Sequence, residues 1–143
     1  MMVHSALEFP VSATEYDVDL RDMKFVLFQQ MKVHESLAAV SRYKDFDRDT
    51  YEAVLDMAAD IAKTKVSPVN KIGDREGVKL DSEGNVTTPE CFKGAYRALV
   101  ESGLVGASMD PKYGGQGLPH VIDVAAHEAI TGAAMAFNMY SGL

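Results

Sequence analysis

The chain has 143 residues, 47% hydrophobic and 24% charged, with a formal net charge of −7. That length fits one domain with a real core, and the acidic balance excludes a nucleic-acid partner, which would need an excess of Lys and Arg. No basic amphipathic face addresses an anionic membrane, no apolar stretch nears the ~18–20 residues that span a bilayer, and the single cysteine, Cys91, cannot form an internal disulfide, so a reducing, cytoplasmic setting is expected.

Residues 1–20 carry Pro10 and scattered Ser, Thr and Asp, and an extended N-terminal arm is expected there. The arm lacks a charged region followed by an apolar one, and it is acidic rather than Arg-rich, which disfavours a secretory or mitochondrial leader. From Arg21 the period becomes helical: Met23, Val26, Leu27, Val33, His34, Leu37 and Val40 share a stripe. Phe25 and Phe28 lie off it, so this helix is expected to bury two faces, with Asp19 or Asp22 as its cap. His34 is expected at the core edge with one hydrogen-bond partner. Ser41 to Asp47 reads as a polar connection.

Asp49-Thr50-Tyr51-Glu52 has the form of a capping box with Asp in place of Ser or Thr. Behind it Tyr51, Val54, Leu55, Ala58, Ile61, Ala62 and Val66 make a clean stripe, and Ser67-Pro68 is expected to end the helix. Asp56 and Asp60 lack a third ligand and read as a solvated face. Val69 to Thr88 reads as a long polar loop. Its Asp81-Ser82-Glu83-Gly84 run lacks the ligand series of a calcium loop. Thr88-Pro89-Glu90 then suits a helix start, with Phe92, Ala95, Tyr96, Leu99 and Val100 as the buried face and Gly103 as the terminating glycine. Cys91 in the first turn has no adjacent basic cluster and is expected to be an ordinary thiol.

Between that helix and the next lies Gly103 to Pro119, with Gly103, Gly106, Gly114, Gly115 and Gly117 alongside Pro111 and Pro119. Such a loop has a defined shape rather than slack. Gly114-Gly115-Gln116-Gly117 invites comparison with a phosphate loop, but no credible strand precedes it, so a rigid corner is the expectation. A weaker likeness to an acetyltransferase pyrophosphate loop fails for want of strands. His120 to Thr131 is apolar nearly all round and is expected to be buried on most sides, with Glu128 the exception. A lone carboxylate there calls for a partner or a water-lined pocket. Ala133 to Gly142 reads as a further helical piece. No metal-ligand spacing joins His4, His34, His120 and His127, and no nucleophile elbow or Walker loop is present.

The ordered set Val66-Ser67-Pro68-Val69-Asn70, Asp74-Arg75-Glu76-Gly77, Thr88-Pro89-Glu90, Gly103-Leu104-Val105-Gly106, Pro111 to Pro119, Glu128 and Ala136 to Tyr140 resembles the N-terminal domain of the acyl-CoA dehydrogenases. Asp22 to Phe28 resembles a short extension in a bacterial branch that handles long-chain or methylthio-substituted acyl-CoAs. The resemblance implies an all-α fold, an orthogonal bundle of four to six helices over residues 21–143. It implies FAD as the cofactor of the full-length protein and acyl-CoA as its substrate. It also implies a middle β domain, a C-terminal helical domain and an electron-transfer flavoprotein as partners. In the family a glutamate base takes the α proton while hydride passes from the β carbon to the flavin. That base lies in the C-terminal domain, so Glu128 is not expected to be the base; its position resembles that of a glutamate common in the family's buried helix, which implies a structural, hydrogen-bonded role, and no catalytic or flavin-binding residue is expected in this chain. The resemblance places Phe137, Asn138, Tyr140, Ser141 and Gly142 along the acyl pocket. On this reading the chain is inactive alone; the alternative is a stand-alone helical interaction module.

Overall fold

A computed structural model describes residues 16–141. The described chain is mostly helical. Its elements in order are α1 (Leu20–Lys24), running on as a π turn (Phe25–Gln30), α2 (Val33–Ala38), α3 (Arg48–Ile61) with a π turn (Ala62–Val66), α4 (Ser67–Glu76), β1 (Lys79–Leu80), β2 (Val86–Thr87), α5 (Cys91–Ser102), α6 (His120–Ala133) and α7 (Met135–Asn138). The two short strands pair antiparallel, Lys79 opposite Thr87 and Leu80 opposite Val86. The expected arm is seen only from Tyr16, since residues 1–15 lie outside the described residues.

The core is one cluster centred where α3 packs on α6, the most extensive contact between elements. Small side chains line that seam: Ala58 and Ala62 on one side, Ala125, Ala126, Ala129 and Ala133 on the other, all buried. Larger fillers surround it: Tyr51, Leu55 and Val66 from α3 and its π turn, Leu99 from α5, Ile122 and Ile130 from α6, and Phe137 from α7. Alanine lets helices approach closely without losing side-chain entropy or helix propensity. Tyr16 reaches across α6, its hydroxyl donating to the Ala129 carbonyl at 2.8 Å. A Cβ at Gly132 would stand 2.7 Å from that hydroxyl, which explains a glycine inside α6. Burial first, then the Glu128 carboxylate, raises the Tyr16 pKa, so the phenol stays neutral and able to donate.

Several expectations are corrected. The stripe from Arg21 to Val40 is not one helix. It breaks at Lys32, whose φ of 51° is left-handed, and of the off-stripe pair Phe28 is buried while Phe25 is exposed. His34 stacks edge-on with Phe28, but its Nδ1 is buried without a hydrogen bond. The cap of α3 is Asp47, two residues before the expected one. Its Oδ1 accepts from the Thr50 N–H at 2.8 Å and the Thr50 hydroxyl at 2.6 Å. Ser67-Pro68 does not end the helix. The π turn closes on a bond from the Ser67 N–H to the Ala62 carbonyl, and Pro68 then falls in the first turn of α4, where its missing donor is harmless. The expected loop from Val69 to Thr88 is therefore largely α4 plus the hairpin. Asp81 knots the hairpin turn by accepting from the Glu83 and Asn85 N–H groups and the Asn85 amide. Helix α5 begins at Cys91 with Glu90 at the cap position and no side-chain cap bond.

The Thr50 hydrogen bonds hold the Asp47 carboxyl below its usual pKa of 3.8. A depressed folded pKa means stability that is complete above the unfolded value and lost as pH falls through the folded one. Urea midpoints of the wild type should therefore drop on acidification below about pH 4, and Asp47→Ala should flatten that drop while lowering the midpoint at neutral pH.

Candidate functional site

The corner from Gly103 to Pro119 fixes where α6 begins. Gly103 ends α5 at φ 77°, a left-handed conformation, and its N–H returns to the Val100 carbonyl. The Leu118 N–H donates to Ala107 at 2.9 Å, the Gly117 N–H to Met109 at 2.9 Å, and the Gln116 N–H to Gly106 at 3.2 Å. The Gly114 N–H donates to Pro111 and the Gly115 N–H to Asp110. A Cβ at Gly115 would overlap the Met109 carbonyl, so only glycine fits there. Leu104, Ala107, Leu118 and Pro119 bury their side chains beneath the loop. The rigid corner expected from sequence is what forms. The corner does not fit a pyrophosphate, because the N–H groups from Gly114 to Leu118 are spent on its own carbonyls. A side-chain tie completes the corner: the Ser108 hydroxyl donates to Asp123 Oδ2 on α6 at 2.5 Å.

After α6 the backbone turns at Ala134 (φ −160°, ψ 92°) into α7. Phe137 inserts into the core and meets Phe92 edge-on, ring centroids 5.3 Å apart at 75°. Tyr140 approaches the same Phe92 at 5.8 Å and 63° but stays half-exposed. With Thr88, Lys93 and Tyr96 these rings line an open hollow of about 300 Å³. Of the residues expected along an acyl pocket, the structure brings Phe137 and Tyr140 to this hollow. Asn138 and Ser141 are occupied elsewhere. The Asn138 amide donates to Thr131 Oγ1 at 2.8 Å, Thr131 Oγ1 donates to the His127 carbonyl at 2.7 Å, and the Ser141 hydroxyl donates to Asn138 Oδ1 at 3.1 Å. This ladder pins α7 to α6. Gly142 lies outside the described residues.

A second apolar groove runs along α6, about 530 Å³, lined by Val124, His127, Glu128, Thr131, Gly132 and Met135. It overturns two expectations. Helix α6 is not covered on most sides, since Val124 is 54% and Met135 just beyond it 67% exposed. Glu128 is exposed and makes no hydrogen bond among the described residues, so it is not the buried, hydrogen-bonded carboxylate that was expected. The signal missed was its spacing from Val124 and Thr131, which puts all three on one face. Tyr96 and Val100, expected in the buried face of α5, are likewise exposed.

The remaining candidates are structural. Asp56 pairs with Lys24 at 2.7 Å on the surface. Among the described residues no cluster of three His, Cys, Asp or Glu side chains could hold a metal, and no helix is long and apolar enough to cross a membrane. Burial, then the Glu76 charge, pushes the Cys91 thiol up, away from a reactive thiolate.

Fold and hollows define a helical, pocket-forming domain. Residues 48–143 match the acyl-CoA dehydrogenase N-terminal domain, and the chain belongs to that family. It is 31% identical to 3-methylmercaptopropionyl-CoA dehydrogenase of Ruegeria pomeroyi over 87% of its length, covering 21% of that protein. It is 32% identical to the broad-specificity linear acyl-CoA dehydrogenase FadE5 of Mycobacterium tuberculosis over 90% of its length, again 21% of that protein. A butyryl-CoA dehydrogenase of Syntrophomonas wolfei is 30% identical over 87% of the chain. The chain thus spans about a fifth of the length of these relatives.

Two substitutions separate scaffold from hollow. Phe137→Ala should cost about 3–5 kcal/mol in urea unfolding, because it empties a fully buried ring site. Tyr140→Ala should cost about 1 kcal/mol, the worth of one edge contact at a half-exposed position. In the corner, Gly115→Ala should destabilise by about 2 kcal/mol, whereas Gly94→Ala, with open space on the surface of α5, should stabilise by about 0.5–1 kcal/mol.

Proposed function

We propose that residues 21–143 form the N-terminal, acyl-pocket part of a flavin-dependent acyl-CoA dehydrogenase, an oxidoreductase that removes hydrogen from the α and β carbons of an acyl-CoA thioester. The observation that carries this reading is the aromatic hollow at Phe92, Tyr96, Phe137 and Tyr140 in a chain of this family. Apolar rings on a preformed wall suit an aliphatic chain, which gains from leaving water and needs no polar partner along its length. The role of this chain is to bind and orient that tail. FAD belongs to the full-length protein and is held by the middle β and C-terminal domains, in keeping with a corner whose N–H groups are already spent. The α-proton base is also supplied there. The assembled enzyme works in the cytoplasm and passes its electrons to an electron-transfer flavoprotein.

A second reading of the acyl wall is favoured by one observation. The α6 groove is the larger of the two, and Gly132 and Thr131 leave it shallow between the exposed apolar side chains Val124 and Met135. In that case the thioester tail lies along α6, and α7 closes its end.

The purified 143-residue chain should show no flavin absorbance and no oxidation of acyl-CoA. A chain that binds flavin and dehydrogenates alone would falsify the proposal. In the enzyme assembled with the middle and C-terminal domains, Tyr140→Ala should change kcat/KM for long acyl chains by roughly tenfold and for short ones little. If instead Val124→Phe produces that chain-length effect and Tyr140→Ala does not, the α6 groove is the acyl wall.

A further inference from the structure

The α6 groove carries three polar side chains among its apolar ones, His127, Glu128 and Thr131, and the surroundings of His127 decide which of its ring nitrogens carries the proton when the ring is neutral. Nδ1 lies 3.1 Å from the Asp123 main-chain carbonyl, in hydrogen-bonding geometry, and 3.1 Å from Asp123 Oδ1, which is not aligned for a hydrogen bond. Both neighbours are acceptors, so a neutral imidazole places its hydrogen on Nδ1 and leaves the lone pair on Nε2. Asp123 cannot swing away to change this. Its other oxygen accepts from Ser108 in the glycine corner, and its side chain is only 14% exposed. His120 stands 3.5 Å from Asp123 Oδ2 on the outer side and does not compete for Nδ1. Nε2 has no hydrogen-bond partner among the described residues, and it is not among the buried unpaired atoms.

The groove's hydroxyl does not balance this. Thr131 Oγ1 gives its proton to the His127 carbonyl and receives the Asn138 amide, so it is already engaged within the fold. With the His127 ring neutral, what remains open is a nitrogen lone pair and, from the next residue, a carboxylate, and in that state both accept and neither donates. We infer that the α6 groove binds an aliphatic chain carrying a hydrogen-bond donor, a hydroxyl above all, with His127 Nε2 as the accepting atom and Asp123 as the residue that positions it. An anionic chain end is disfavoured by Glu128. This assigns the groove a chemical selectivity that a purely apolar wall lacks, because a hydroxyl buried against hydrocarbon without an acceptor is penalised. The inference concerns the groove itself and deepens the second reading of the acyl wall.

The test uses the 143-residue chain, ¹⁵N-labelled, near neutral pH. Long-range ¹H–¹⁵N spectra of the histidine rings should show His127 Nδ1 as the protonated nitrogen and Nε2 as the lone-pair nitrogen, and Asp123→Ala should weaken that preference. A protonated Nε2 in the wild type overturns the assignment. The chain is then titrated with 1-octanol and with its methyl ether, which has the same alkyl chain and oxygen but no donor. Octanol should shift the amides of residues 124–135 and bind roughly fivefold more tightly than the ether, the worth of one net hydrogen bond. His127→Phe should bring octanol down to the affinity of the ether, while His127→Gln, which can present an acceptor, should restore part of the difference. Equal binding of alcohol and ether along α6 overturns the donor selectivity but leaves the groove as an apolar wall. Shifts confined to Phe92, Tyr96 and Tyr140, or no binding at all, overturn the inference outright.

Discussion

The corner between α5 and α6 satisfies its own backbone, and the rest of the domain depends on that. A loop pressed against a core has no water to bond, so its N–H and C=O groups must find partners within the protein. Here the N–H groups from Gly114 to Leu118 bond to carbonyls of the same loop, while Leu104, Ala107 and Leu118 point inward. The chain therefore enters α6 at a fixed place and angle. That matters because most of the residues α6 buries are alanines, whose short side chains cannot extend to fill a gap. A displaced α6 would leave voids along the most extensive contact in the molecule. Ser108 adds a direct tie between the corner and the helix it launches by donating to Asp123.

From α6 the constraint passes to α7. The turn at Ala134 is held from two sides: Phe137 locks into the core against Phe92, and Asn138 bonds back to Thr131. A four-residue helix has almost no stability of its own. Its geometry is set by these two anchors, and they decide that Tyr140 stands at the edge of the aromatic hollow. Asp123 links the same chain of constraint to the other hollow, since it meets Ser108 with one oxygen and His127 with its main-chain carbonyl.

Much of the fold was legible because the signals were local and long. The stripe from Tyr51 to Val66, the left-handed Gly103 and the glycine corner all follow from periodicity or from backbone conformations that few residues adopt. What was not legible depended on non-local or compensating effects. The helix runs past Pro68 because a π turn reorganises the preceding hydrogen bonds, and no residue pattern announces such a turn. The cap at Asp47 was hidden by a second acidic residue at Asp49. For the site, the resemblance grouped Phe137, Asn138, Tyr140 and Ser141 along one wall; the structure sets Phe137 and Tyr140 beside one hollow, while Asn138 and Ser141 bond within the tie between α6 and α7, a distinction that a helix as short as α7 is too brief to show by periodicity. Glu128 was misread because apolar neighbours in sequence were equated with apolar neighbours in space.

The same error recurs on other elements, and it has a common form. Tyr96 and Val100 on α5, Val124 on α6, and Met135 and Met139 around α7 are apolar, fall on helical stripes or beside them, and yet are exposed. Scattered exposed apolar residues need no explanation, but these lie on the elements that line the two hollows. The side chains are patterned for burial, and no described part of the chain buries them. A domain spanning a fifth of the relatives' length leaves room for the covering surface elsewhere. The proposed assembly would account for both features at once: the hollows would be half-sites, walled on one side by α5, α6 and α7, and the exposed apolar rims would be the surfaces against which further domains close.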